Sequence, residues 1–102
     1  MTLGEVIVDA RRKAGLSQKE LAGRILKDDG SAISASYLND IEHDRRRPSS
    51  EAMIKQLAKA LGVAPDLLFF SAGRLPSEIT RGADQKRVVK AFDAFRKALK
   101  GK

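Results

Sequence analysis

The sequence contains no cysteine. That excludes disulfides, thiolate-bound metals and thiol catalysis. It contains one histidine, His43, too few for a histidine-based metal site, so neither a metal nor another cofactor is expected. There is no glycine-rich phosphate loop. The carboxylate pairs Asp28-Asp29 and Asp40-Glu42 lack the partner set that would make a general acid and base, so an enzyme is not expected. No apolar run approaches the roughly 18 residues of a membrane span; the longest is Leu67-Leu68-Phe69-Phe70. The start, Met1 to Glu5, lacks the basic-then-apolar layout of a signal peptide. Together these absences predict a soluble cytoplasmic protein with no membrane partner.

What is present fits one small helical domain plus an appended element. A chain of 102 residues, 42% hydrophobic, can bury a modest core without staples. The net charge of +7 favours a polyanionic partner, nucleic acid or an anionic membrane surface. The charge is uneven: residues 1–75 carry 12 Lys and Arg against 10 Asp and Glu, whereas residues 76–102 carry 8 against 3. Charge alone therefore does not mark the first part as a nucleic-acid binder, and arrangement has to decide.

Five short helices are predicted in the first 70 residues. Thr2 with Glu5 forms a capping box, and Leu3, Val6, Ile7, Ala10 and Ala14 follow at helical spacing until Gly15 stops the helix. Ser17 with Glu20 is a second capping box, opening a helix whose apolar face is Leu21, Ala22, Ile25 and Leu26. Lys27 to Ser31 reads as a turn. Ser34 caps a third helix with Leu38 and Ile41 inward and Tyr37 partly buried. After Arg45-Arg46-Arg47-Pro48, Ser49 is expected to cap a fourth helix bearing Met53, Leu57, Ala58 and Leu61. Gly62 ends it, and Pro65 opens a fifth with Leu67, Leu68 and Phe69 or Phe70. The expected division is a domain over 1–72, a linker over 73–83 that Leu75 and Ile79 can dock to the core, and an amphipathic helix over 84–102. In that helix Val88, Phe92, Phe95 and Leu99 form an a/d seam. It either folds back or pairs with a second subunit; two exposed phenylalanines on a lone helix favour dimerisation. Lys86, Arg87, Lys90, Arg96, Lys97 and Lys100 give it a basic, solvated face that is also a possible second DNA contact.

Four segments, Leu16-Ser-Gln-Lys-Glu-Leu-Ala22, Ile33-Ser-Ala-Ser-Tyr-Leu-Asn-Asp-Ile-Glu42, Arg45-Arg-Arg-Pro-Ser49 and Leu57-Ala-Lys-Ala-Leu-Gly-Val63, agree in order and spacing with a known pattern. Over residues 3–70 the chain resembles the lambda-repressor/Cro-type helix-turn-helix family of bacterial and phage regulators. The resemblance implies an all-α fold, a compact five-helix DNA-binding domain to which the C-terminal helix is added. It implies that the third helix enters the major groove of double-stranded DNA. Ala35, Ser36, Asn39 and Asp40 lie opposite Leu38 and Ile41 and are the candidate base readers. Asn39 suits adenine, Ala35 a thymine methyl, and Ser36 several acceptors. Ser17, Gln18, Lys19, Tyr37, His43, Arg45, Arg46 and Arg47 are the candidate phosphate contacts; a solvent-exposed role is the alternative for His43. Glu42 is implied to brace the motif. Two departures stand out. Leu26 to Ala32 lengthens the connection between the motif helices, and with Asp28 and Asp29 in it the loop should bulge away from DNA. Asp44 stands where the family often has glycine, so a left-handed turn is expected there. The expected function is a transcriptional regulator, a repressor acting as a homodimer; an antitoxin or a protein-interaction module on the same fold is the alternative.

Overall fold

The computed structural model describes residues 1–101, and among these it is all-α. The helices are α1 (Leu3–Lys13), α2 (Gln18–Ala22), α3 (Ala35–Glu42), α4 (Glu51–Leu61), α5 (Pro65–Ser71), α6 (Ser77–Thr80) and α7 (Gln85–Lys100). Extended pairing among the described residues is limited to one bridge, between Leu26 and Ala32.

Local chemistry sets the boundaries. The Thr2 hydroxyl accepts from the Glu5 N–H, and the Glu5 carboxylate accepts in return from the Thr2 N–H. Ser17 and Glu20 repeat this at α2, and the Ser34 hydroxyl accepts from the Tyr37 N–H. Each pairing satisfies amides that the first helical turn leaves without partners. Gly62 adopts the left-handed conformation that closes α4, at φ 70°. Pro65 occupies the first turn of α5, where its missing N–H costs nothing.

The core is one cluster drawn from α1 to α5 and from Ile25 and Ile33 beside the motif turn. Ile7, Leu21, Leu38, Ile41, Met53, Leu57, Leu68 and Phe69 are among its fully buried side chains. Helices α1 and α2 both pack on α3, and α4 packs on α5. The approach of α1 to α3 is close: a Cβ on Gly4 would collide with the backbone carbonyl oxygen of Glu42.

Three expectations change. Helix α2 stops at Ala22, so Ile25 is buried from the following turn while Leu26 is 47% exposed. Leu26 pairs with Ala32 instead of continuing the helical face. The cap of α4 is Ser50, whose hydroxyl accepts from the Met53 N–H, rather than Ser49; Pro48 is buried and the chain enters the helix one residue later. The stretch after α5 docks through Pro76, which is buried, and through the Ser77 N–H, which donates to Glu51 Oε1 at 2.9 Å. Leu75 and Ile79 remain 52% and 56% exposed. Helix α7 is capped by Asp84 and has no buried residue. Phe95 meets Phe70 of α5 edge-on, with ring centroids 5.9 Å apart, and Phe92 meets Phe95 the same way.

Candidate nucleic-acid interface

Helix α3 buries Leu38, Ile41 and Glu42. A 100° step per residue turns Ser36, Asn39 and Asp40 outward but brings Ala35, seven residues before Glu42, to within about 20° of that buried side chain, so Ala35 sits at the edge of the face rather than on it; Ser36 is exposed, and the other three are half-buried. The side chains on this face are small or polar, which permits close approach to base edges.

A hydrogen-bonded chain runs beneath the face. Glu42 is buried, with a side chain only 1% exposed, and Arg11 Nε lies 2.6 Å from its Oε2. Arg11 Nη2 donates to Glu42 Oε1 at 3.1 Å, completing a two-point contact, and Arg11 Nη1 donates to the Leu16 carbonyl. Gln18 Nε2 donates to Glu42 Oε1 at 2.8 Å and to Asn39 Oδ1 at 3.0 Å. Every buried charge and amide here has a partner, the condition under which a polar cluster fixes geometry instead of destabilising it. The bracing role implied for Glu42 thus has a concrete form, a tie between α1, α2 and α3. Arg11, 31 positions away in sequence, carried no local signal for it.

The motif turn is a built hairpin. The Lys27 N–H donates to the Ser31 carbonyl, Ile33 N–H to the Ile25 carbonyl, and Asp29 Oδ1 accepts from both the N–H and the hydroxyl of Ser31. The Ser31 hydroxyl and then its N–H hold the Asp29 carboxyl below the usual carboxylate range. Gln56 of α4 grips Leu26 twice, accepting from its N–H at 2.7 Å and donating to its carbonyl at 3.0 Å. The added residues are anchored to α4, and the start of α3 inherits a fixed position.

Asp44 has φ 59°, the left-handed turn expected in place of glycine. Its carboxylate accepts from the Gly4 N–H at 2.9 Å and the Thr2 hydroxyl at 2.6 Å, so it supports the start of α1, a task glycine cannot perform. The three arginines diverge. Arg45 pairs with Asp40 at 3.1 Å, Arg46 lies over the Tyr37 ring at 4.4 Å, and Arg47 donates to the Ala72 carbonyl at 3.1 Å. His43 is the C-cap of α3, its Nδ1 2.9 Å from the Asn39 carbonyl. At α2, Ser17 and Glu20 cap each other and Lys19 is exposed. The Ser17 N–H, and after it the Ser17 side chain, holds the Glu20 carboxyl below its usual range.

Residues 7–68 match the helix-turn-helix family profile. The chain belongs to the helix-turn-helix family. An uncharacterized HTH-type transcriptional regulator of Mycobacterium tuberculosis is 37% identical over 82 residues, covering 79% of this chain and 54% of that protein. The chain thus spans about half the length of that relative. The transcriptional regulator ClgR of the same organism is 34% identical over 94 residues, covering 90% of this chain and 74% of ClgR. Among solved structures, the SinR protein/SinI protein complex contains a chain with the same fold, at a TM-score of 0.55 and 24% identity, matched over 99% of this chain and 100% of that one. The all-α, lambda-repressor-like helix-turn-helix architecture therefore stands. No helix among the described residues is long and apolar enough to cross a membrane.

Proposed function

We propose that the protein is a sequence-specific double-stranded DNA-binding regulator that represses transcription as a homodimer on a two-fold operator. The observation that carries this reading is the outward face of α3, bearing Ser36, Asn39 and Asp40 with Ala35 at its edge, on a helix locked from behind by Glu42. Asn39 supplies the strongest base discrimination, at about 1–3 kcal/mol for a well-formed pair, and Ala35 and Ser36 permit close approach. Asp40 is tied to Arg45 and tunes the rim of the face. Phosphates are met by the first turn of α2 at Ser17, Gln18 and Lys19, by Tyr37 and His43, and by the arginine link, where Arg46 is splayed over Tyr37. These contacts set affinity and register without carrying sequence information.

The two-fold arrangement rests on α7. Its Val88, Phe92, Phe95 and Leu99 are exposed and line one side of the helix, the surface a second copy would cover, which leaves residues 1–72 as the DNA-binding unit. Two such units would meet half-sites about 34 Å apart. The test is anisotropy of labelled duplex DNA against salt. The logarithm of the affinity should fall with the logarithm of salt concentration at a slope near −0.9 for each phosphate neutralised. Binding that is flat in salt, or without preference among random duplexes, overturns the proposal.

A further inference from the structure

Helix α7 is reached through the stretch expected to be a linker over 73–83. A free linker of that length would have an end-to-end distance of about 18 Å and would let α7 wander. The observed stretch is fastened instead. The Ala72 carbonyl accepts from Arg47 Nη1 at 3.1 Å, a bond that uses one donor and leaves the guanidinium others for a phosphate. The Arg74 N–H donates to the Phe69 carbonyl at 3.0 Å. Pro76 is buried, and the Ser77 N–H donates to Glu51 Oε1 at 2.9 Å. Beyond α6 the Ala83 N–H closes a turn on the Thr80 carbonyl, with Gly82 at φ 74°. Helix α7 then returns to the bundle, where Phe95 meets Phe70 of α5 edge-on at 5.9 Å.

The arm is thus held at both ends, at Pro76 and Ser77 where it leaves the bundle and at Phe95 where it comes back. Between these points α7 is not pressed flat on α6. An open groove of about 460 Å³, lined by Leu75, Ile79, Val88 and Phe92, separates the two. The end contacts therefore set the direction of α7 relative to α3. We propose that Glu51, Pro76 and Phe70 are positioning residues that turn the stretch into a strut, so that the dimer accepts half-sites at one separation only. Each base pair added between half-sites displaces one of them by about 3.4 Å and turns it by about 35° around the DNA axis. A slack of about 18 Å would absorb two such steps; a strut held at both ends does not. The proposal rests on the two-fold reading of α7 and adds a spacing specificity and the residues that enforce it.

The experiment is the affinity of the full chain for its selected two-fold site, at the selected spacing and with two base pairs inserted between the half-sites. The wild type should lose about 100-fold or more on insertion, as avidity does where geometry forbids both halves from engaging at once. The Glu51→Ala/Phe70→Ala variant should remain a dimer by light scattering and lose no more than about 10-fold on insertion. The Glu51→Gln/Phe70→Tyr variant keeps an acceptor and an aromatic ring, and should recover the wild-type penalty. A wild-type dimer that tolerates the insertion, or a double-alanine dimer that keeps the full penalty, overturns the proposal. Circular-dichroism melting verifies folding; if the double-alanine variant unfolds or dissociates, Glu51→Ala alone decides by the same readout. A wild type that selects only single half-sites fails earlier and overturns the two-fold reading itself.

Discussion

The bundle of α1 to α5 and the helix α7 are written in the same apolar code, but only the bundle closes on itself. Leu38 and Ile41 are fully buried beneath α3, whereas Phe92 and Phe95 stay 42% exposed on a helix more sharply amphipathic than α3. The bundle also fastens its polar groups, as in the tie of Arg11, Gln18 and Asn39 to Glu42. The ion pairs of α7, Arg87 with Asp84 and Lys97 with Asp93, lie on its own exposed surface and contribute little. Spacing dictates which face of a helix seeks burial. It does not say whether the partner lies in the same chain.

If the comparison is right, substitutions should separate the two regions sharply. The largest loss is expected at the buried pair. Arg11→Ala strands the Glu42 carboxylate and should cost about 3–5 kcal/mol of unfolding free energy, the usual penalty for removing one partner of such a pair. Urea denaturation measures it, and a loss below about 1 kcal/mol would show that water reaches Glu42. Leu38→Ala should follow, at about 2–5 kcal/mol through the cavity left beneath α3. Phe92→Glu should leave the bundle's stability within about 0.5 kcal/mol, as surface changes do, while light scattering reports conversion from dimer to monomer. A large stability loss at Phe92 would mean that α7 belongs to the core and would break the comparison.

The same contrast explains what the sequence disclosed. Capping boxes at Thr2 and Ser17, the cap at Ser34 and the glycine stop at Gly62 are local, and each is where its residues predicted. The left-handed Asp44 was legible from the family resemblance, in which glycine often stands at that position, but its bonds to Thr2 and Gly4, 42 and 40 positions back, were not. The grip of Gln56 on Leu26 spans 30 positions, and no period or motif announces it. The early end of α2 follows from that grip and from the hairpin, because Leu26 is drawn into pairing with Ala32. In the candidate site, the outward face of α3 could be written down from helical spacing. The engagement of Gln18 and the separate fates of Arg45, Arg46 and Arg47 depend on side chains from other helices, which one-dimensional spacing does not bring together.

The smallest expected effect lies at the border between the two regions. Glu51, in the first turn of α4, accepts the Ser77 N–H, and this bond, ahead of its other contacts, lowers the Glu51 pKa from the ordinary 4.5. A carboxyl depressed in the folded state contributes its stabilisation fully above the unfolded pKa and loses it as pH falls through the lower folded value. The tether from the bundle to the segment leading into α7 should therefore hold at neutral pH and release only below the ordinary glutamate range. The Ser77 amide resonance should titrate with a midpoint under 4.5. Glu51→Gln retains an oxygen that can accept the bond but cannot be protonated in that range, so the titration should vanish while the amide shift stays near its neutral-pH value. Glu51→Ala should move the resonance to the released position at every pH. A Ser77 amide that ignores all three conditions would place the border elsewhere, with Pro76 alone holding the segment to the bundle.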